Sequence, residues 1–286
     1  MNKLSRRQFL GKSALGIGSA VIASHIPLDL SAETPAKTVK LPVGFQVWTV
    51  RDQLLKDFPG TLKMMKDLGY EAVEMCSPPG YGWDPLMKMS AKEMLKIIND
   101  AGLIFMSTHY GWGEFKNNLK ERIDFAAESG QKQMILSSFG LPEKATMDDW
   151  MKACDELNKC GMETKKAGIQ MGYHNHHGEF GQIDGKLIYD ALMSRFDPDL
   201  VKMQFQVAVI SIGYKAATYF NKYPGRFISA HLADWSPTEK KNVPLGKGVV
   251  DWKEFFASID KGGVKNIFVE MDPDTFKPSA DYLHNL

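Results

Sequence analysis

Phe58-Pro59-Gly60-Thr61-Leu62-Lys63-Met64-Met65-Lys66-Asp67-Leu68-Gly69-Tyr70-Glu71-Ala72-Val73-Glu74-Met75 holds a helix, its stop signal and the strand that follows. Leu62, Met65 and Leu68 recur every three residues, as on one buried helix face. Gly69 stands where a left-handed residue closes a helix. Ala72–Met75 then reads as a short strand. The pattern recurs along the chain every 30–35 residues or so, the length of one strand-plus-helix unit. Strands are expected at 44–49, 72–75, 104–109, 133–137, 170–174, 203–207, 228–232 and 267–270. Helices are expected at 58–68, 91–101, 119–129, 147–167, 186–195, 216–222 and 252–261, with a short one after Pro278. Gly102, Gly130, Gly168 and Gly263 repeat the stop signal of Gly69.

Eight strands alternating with eight helices make an α/β protein with a parallel sheet covered by helices, most simply closed as a (β/α)8 TIM barrel. An open doubly wound sheet is the competing arrangement. It needs a glycine-rich phosphate turn after the first strand, where Val50-Arg51-Asp52-Gln53 stands instead. A single barrel domain is expected over residues 41–286, close to the usual size of this fold.

The chain has 286 residues, 44% of them hydrophobic and 11% aromatic, as a folded globular protein requires. The formal net charge is +1, with four of the basic side chains in the first 32 residues, so the barrel region carries a slight excess of acid. That balance speaks against a nucleic-acid partner, which needs a basic face. Cys76, Cys154 and Cys160 cannot all pair and are expected as reduced packing residues; Cys154 and Cys160, six apart on one helix, are not expected on the same face. Ser5-Arg6-Arg7-Gln8-Phe9-Leu10 is a twin-arginine pattern, followed by an apolar run from Ala14 to Ile26 too short and too rich in Gly and Ser for a stable membrane span. Residues 1–32 are therefore expected to be an export signal, cleaved near Ala23 or Ala32, and the mature protein to work in the periplasm or outside the cytoplasm.

The carboxyl ends of barrel strands converge on one face, so residues distant in sequence meet there. Read strand by strand, the exits carry Gln46 and Trp48; Glu74; His109 and Tyr110; Ser137 and Ser138; Tyr173-His174-Asn175-His176-His177-Gly178-Glu179; Gln206; His231 with Asp234; and Glu270 with Asp272. Five of the seven histidines lie in this set. Imidazole, carboxylate and amide oxygen at neighbouring strand ends are a ligand set for a divalent cation.

Four stretches, Tyr173-His174-Asn175-His176 with Glu179-Phe180, Tyr223-Pro224-Gly225-Arg226 leading to His231-Leu232-Ala233-Asp234, Gly246-Lys247-Gly248 with Asp251-Trp252, and Val269-Glu270-Met271-Asp272, together resemble the sugar phosphate isomerase/epimerase superfamily, the xylose-isomerase-like barrels. The likeness runs from about Gly44 to Asp272. It implies a metal-dependent enzyme acting beside a sugar carbonyl, by epimerisation, isomerisation or elimination. It also implies metal ligands at His174 (or His176), His231 and Glu270, with Gln206 where relatives carry an aspartate. An acid-poor set of this kind favours Zn2+, Co2+ or Ni2+ over Mg2+, with Mn2+ held weakly, and Gln206 leaves open whether any cation is held. In the implied chemistry Glu179 or Glu74 takes a proton and His109 or His176 returns one. Gln46, Trp48, Trp112, Asp234 and Lys247 are candidate substrate contacts, and one of Trp48, Trp83 and Trp112 is expected in the core. Export points to a small non-phosphorylated keto-sugar or glycoside as the partner. The alternative, motivated by Gln206, is a non-catalytic exported carbohydrate-binding barrel. An abasic-site endonuclease is disfavoured by the near-neutral charge and the leader.

Overall fold

The computed structural model describes residues 39–286, so the twin-arginine leader lies outside the described residues. Eight strands form a closed parallel barrel: β1 (Val43–Gln46), β2 (Ala72–Cys76), β3 (Ile104–Tyr110), β4 (Gln133–Leu136), β5 (Gln170–His174), β6 (Val201–Gln206), β7 (Phe227–Leu232) and β8 (Asn266–Val269). Each pairs with its sequence neighbours, and β8 returns to β1 through Val43↔Ile267 and Phe45↔Val269. The principal helices that follow them are α1 (Phe58–Asp67), α2 (Ala91–Asp100), α3 (Leu119–Glu128), α4 (Met147–Lys166), α5 (Ile188–Arg195), α6 (Ala216–Lys222), α7 (Trp252–Gly262) and α8 (Phe276–Asn285).

Local chemistry explains these boundaries. Asp57 caps α1 by accepting from Gly60 N at 3.0 Å. Ser90 with Glu93, and Thr146 with Asp149, form reciprocal capping boxes on α2 and α4. The five glycines expected after helices all have positive φ, from 72° at Gly168 to 106° at Gly69. Outward-facing strand residues such as Phe45, Met75, Leu136, Phe205 and Val269 are buried beneath the helices. The three cysteines are free and buried. Cys154 and Cys160 both lie on the buried stripe of α4, contrary to the expectation from their spacing, because that stripe is broad enough to include Ala153, Cys154, Leu157, Cys160 and Gly161.

Several expected elements shift. The first strand stops at Gln46, because the Gln46 side chain accepts from Trp48 N at 2.5 Å and starts a 3-10 turn over Val47–Val50. The fifth helix begins at Ile188; the preceding residues form a small hairpin, Gln182–Ile183 with Lys186–Leu187. The segment between β7 and α7 contains a second hairpin, Asp234–Ser236 with Lys241–Val243. No helix among the described residues is long and apolar enough to cross a membrane.

Two irregularities of the barrel position the site. The β2–β3 register shifts between Val73 and Glu74, which sets Glu74 opposite Ser107. The β6–β7 register shifts between Met203 and Gln204, which sets Gln204 opposite Ser229. Bulges of this kind re-aim side chains, and here the residues re-aimed are Glu74 and Gln204.

Candidate active site

A buried polar cluster fills the interior near the strand exits. Glu74 is wholly enclosed, and its two oxygens take part in three hydrogen bonds and one further close contact with an imidazole. Oε1 accepts from Ser107 Oγ (2.6 Å) and Gln204 Nε2 (2.9 Å). Oε2 faces His231 Nε2 at 2.5 Å and His109 Nε2 at 3.1 Å. Gln204 gives its other amide hydrogen to Ser229 Oγ (2.9 Å), while its Oε1 faces His109 Nε2 at 2.6 Å and His174 Nδ1 at 2.8 Å. On the far side of His231, Nδ1 lies 2.9 Å from Glu270 Oε2, which also accepts from Gln206 Nε2 at 2.7 Å. His109 and His231 stack with ring centres 5.1 Å apart, and His174 lies 4.5 Å from His231. His109, His174 and His231 each bring a possible ligand atom within 4.8 Å of the others.

Burial opposes charge in this cluster, and at Glu74, His231 and Glu270 the ion pairs overcome it. Burial pushes the Glu74 carboxyl up, but His109 and His231 outweigh it and hold it well below the usual range. Burial pushes His231 down, yet Glu270 and Glu74 raise it to about 9. Glu270 is lowered in net, because His231 outweighs the cost of burial. His174 faces no carboxylate; burial and the neighbouring imidazoles hold it well below its ordinary value, so it is a neutral ring at pH 7.

The expected residues divide between several places. His174, His231, Glu270 and Gln206 do gather. Gln206 presents its amide nitrogen, not its oxygen, to Glu270, while its Oε1 caps Ala208 N at 3.2 Å. His109 joins the histidine cluster itself. Glu74 has no free lone pair toward any opening, so its expected role as a proton-abstracting base is replaced by that of a buried partner to His231. Glu179 and His176 line a cleft of about 550 Å³ with Phe139, Leu141, Trp150 and Ile183. Glu179 is fixed there by Tyr173 OH on Oε1 (2.6 Å) and His176 N on Oε2 (2.9 Å).

Asp234, expected as a substrate contact, presents no exposed surface. It is fully buried and accepts from Trp235 N, Gly246 N, Gly248 N, Val250 N and Trp252 Nε1 at 2.9–3.2 Å. Lys247 is exposed at a different cleft, beside Lys241, Glu239, Asp272 and Asp274. Gln46 is buried and donates to Cys76 Sγ at 3.2 Å. Trp48 is 40% exposed, with the Arg51 guanidinium 4.3 Å from its ring centre and Tyr81 alongside. Trp112 packs edge-on against Phe139, and Trp83 is the tryptophan of the three that is buried in the core. Sequence reading missed Gln204, Ser107 and Ser229. Gln204 was discoverable in principle, since it lies two residues before Gln206 and so shares its strand face.

Known proteins share this fold. The chain resembles an inosose dehydratase of Lacticaseibacillus casei, 27% identical over 279 residues, covering 84% of this chain and 92% of that protein. A crystal structure of a sugar phosphate isomerase/epimerase from Parabacteroides distasonis superposes with a TM-score of 0.73 at 24% identity, over 86% of this chain and 94% of the other. A crystal structure of IOLI protein with a binding zinc atom superposes with a TM-score of 0.64 at 13% identity, over 86% and 94%. The family model described as xylose isomerase-like TIM barrel matches residues 62–286. With its closed eight-stranded parallel barrel and that match over most of its length, the chain belongs to the xylose isomerase-like TIM barrel family.

Proposed function

We propose that this protein is an exported enzyme that moves a proton beside the carbonyl of a non-phosphorylated keto-sugar or glycoside, assisted by a divalent cation. The observation that carries the reading is His231 held between two carboxylates, Glu74 and Glu270, with His174 beside it at the strand exits. Elimination is the outcome favoured among epimerisation, isomerisation and elimination, supported by the likeness to an inosose dehydratase.

The buried histidines fit a cation, since His109, His174 and His231 each bring a possible ligand atom within 4.8 Å of the others. His231 Nδ1 and Glu270 Oε2 lie 2.9 Å apart, a spacing that two ligands of one ion also adopt. His174 adds a neutral imidazole. Gln206 joins them only when its amide turns over and gives up the cap on Ala208, which favours imidazole-tolerant Zn2+, Co2+, Ni2+ or Mn2+ over Mg2+. A cation held by these residues supplies polarisation of carbonyl and hydroxyl oxygens, easing the growth of negative charge as a proton leaves.

The residues of the chain supply the rest. Glu179 is the proton acceptor, because it lines the cleft with both oxygens oriented by Tyr173 and the His176 backbone. His176, exposed on the same cleft, returns a proton or protonates a departing hydroxyl. Phe139, Leu141 and Trp150 give the cleft an apolar wall for sugar ring faces. The twin-arginine pattern Ser5–Leu10 supports export to the periplasm, and sugar phosphates are chiefly cytosolic.

Metal analysis of the purified chain and α-proton exchange from keto-sugars in D2O test this reading. Bound divalent metal with exchange that Glu179→Gln abolishes is expected. Absence of both metal uptake and exchange refutes it. The grip of the Gln206 amide on Glu270 favours one other reading, a non-catalytic exported carbohydrate-binding barrel. That reading predicts sugar binding without exchange.

A further inference from the structure

We propose that Glu74 is the positioning residue of the site: its carboxylate dictates which ring nitrogen of His109, His174 and His231 carries a proton, and hence which nitrogen is left for a cation. The cation belongs to the function proposed above; the proton pattern does not depend on it.

Hydrogen-bond polarity fixes the pattern. Glu74 is a carboxylate closed off from solvent, with Ser107 and Gln204 at Oε1 and two imidazole nitrogens at Oε2, so it can act only as an acceptor. Gln204 must therefore turn its NH2 toward Glu74 Oε1 at 2.9 Å. The reverse orientation would set an amide oxygen against a carboxylate oxygen at that distance. With its nitrogen committed to Glu74 and Ser229, Gln204 can offer only its Oε1 to the imidazoles. His174 must then donate from Nδ1, which leaves Nε2 as its lone-pair nitrogen. His109 Nε2 faces two acceptors, Gln204 Oε1 and Glu74 Oε2, and must carry its proton there, leaving Nδ1. His231 keeps its Nε2 proton on Glu74 at 2.5 Å, so Nδ1, beside the partly exposed Glu270, is the nitrogen left for an ion. A carboxylate behind a metal-bound histidine is a recurrent orienting device. Here one carboxylate orients three rings, two of them through a glutamine relay.

Two register shifts build the relay. Without the shift before Glu74, Ser107 would not face it, and without the shift before Gln204, Ser229 would not. Both serines hydrogen-bond the residue they oppose, at 2.6 and 2.9 Å. The polarity is thus specified by the backbone as well as by the side chains.

Ring-nitrogen NMR of the full chain labelled with 15N-histidine, without metal and then with ZnCl2, tests the proposal. The wild type should show His174 protonated at Nδ1 and His109 at Nε2, and zinc-loaded His231 should retain its proton at Nε2. Glu74→Gln, whose amide can donate or accept, should give mixed tautomers and weaken zinc binding by about 10- to 100-fold. A folded Glu74→Gln protein with wild-type ring signals and wild-type zinc affinity overturns the proposal. Should that variant fail to fold, Gln204→Met removes the relay and leaves the carboxylate. Mixed tautomers at His174 with His231 unchanged then support the proposal, and an unchanged His174 overturns it. A wild-type chain that takes up no zinc refutes the metal reading alone, because the tautomers of the metal-free protein still judge the role of Glu74.

Discussion

Asp234 invites a decisive substitution, because its sequence neighbourhood suggests a ligand contact and its surroundings show a scaffold. Oδ1 accepts from Trp235 N and Val250 N, and Oδ2 from Gly246 N, Gly248 N and Trp252 Nε1. Asp234→Asn keeps the shape but replaces one oxygen with a donor. Whichever way the amide turns, at least two of the five donors then face NH2. Each buried donor left unpaired costs about 1–3 kcal/mol, and water reaching the half-exposed loop recovers part of that, so a loss of about 3 kcal/mol is expected. For a domain of this size that corresponds to a fall of about 6–12 °C in melting temperature. Urea unfolding of the wild type and Asp234→Asn, followed by circular dichroism, measures it directly. Unchanged unfolding free energy together with a raised KM for a keto-sugar would refute the scaffold reading and return Asp234 to the substrate. Gly248→Ala attacks the same arrangement from the other side, since an added Cβ would lie 2.1 Å from Asp234 Oδ1. It should destabilise in the same assay.

Other expectations follow from the charged cluster. His231 is raised from 6.5 to about 9, so its share of the stability of the metal-free protein is complete below about pH 6.5 and lost as pH rises through about 9. Glu74 is lowered from 4.5, so its share is present above about pH 4.5 and lost in acid; chemical denaturation should show a plateau between those limits, and stability that keeps rising past pH 9 would contradict it. Zinc must displace a proton from His231, so its apparent affinity should climb with pH, by up to about tenfold per unit, until about pH 9. Calorimetry in buffers of different ionisation heat should detect the released proton, and a flat profile over about pH 6–8 would refute the displacement. Gln206→Asp should restore an anionic ligand beside Glu270 and strengthen Mn2+ binding relative to Zn2+, read as a larger Mn2+-induced thermal shift than in the wild type. An equal or smaller shift would count against Gln206 as the missing ligand.

The barrel was legible because its signals are local. Leu62, Met65 and Leu68 repeat at helical spacing whatever surrounds them, and Gly69 must adopt a φ that other residues resist. Errors arose where a side chain competes with the backbone pattern. Gln46 reads as part of a strand but its side chain starts a turn, and Lys186 reads as helix but pairs across a hairpin. His174, His231 and Glu270 could be found from strand-end position alone, because the fold brings every such position to one face.

What the sequence by itself determined is which residues reach that face: a parallel barrel whose strand exits carry His109, His174, His176 and His231 among carboxylates and the uncharged Gln206. Only the tertiary structure decided what each of them does there. Glu74, Asp234 and Glu179 are all acidic residues at strand exits, yet Glu74 is enclosed by His109, His231, Ser107 and Gln204, Asp234 by backbone amides of its own loop, and Glu179 by a cleft wall. The difference is long-range and cannot be read from neighbours in sequence. A carboxylate's role is set by the donors that surround it and the water it keeps, and at Glu74 those donors come from β3, β6 and β7, up to 157 residues away along the chain.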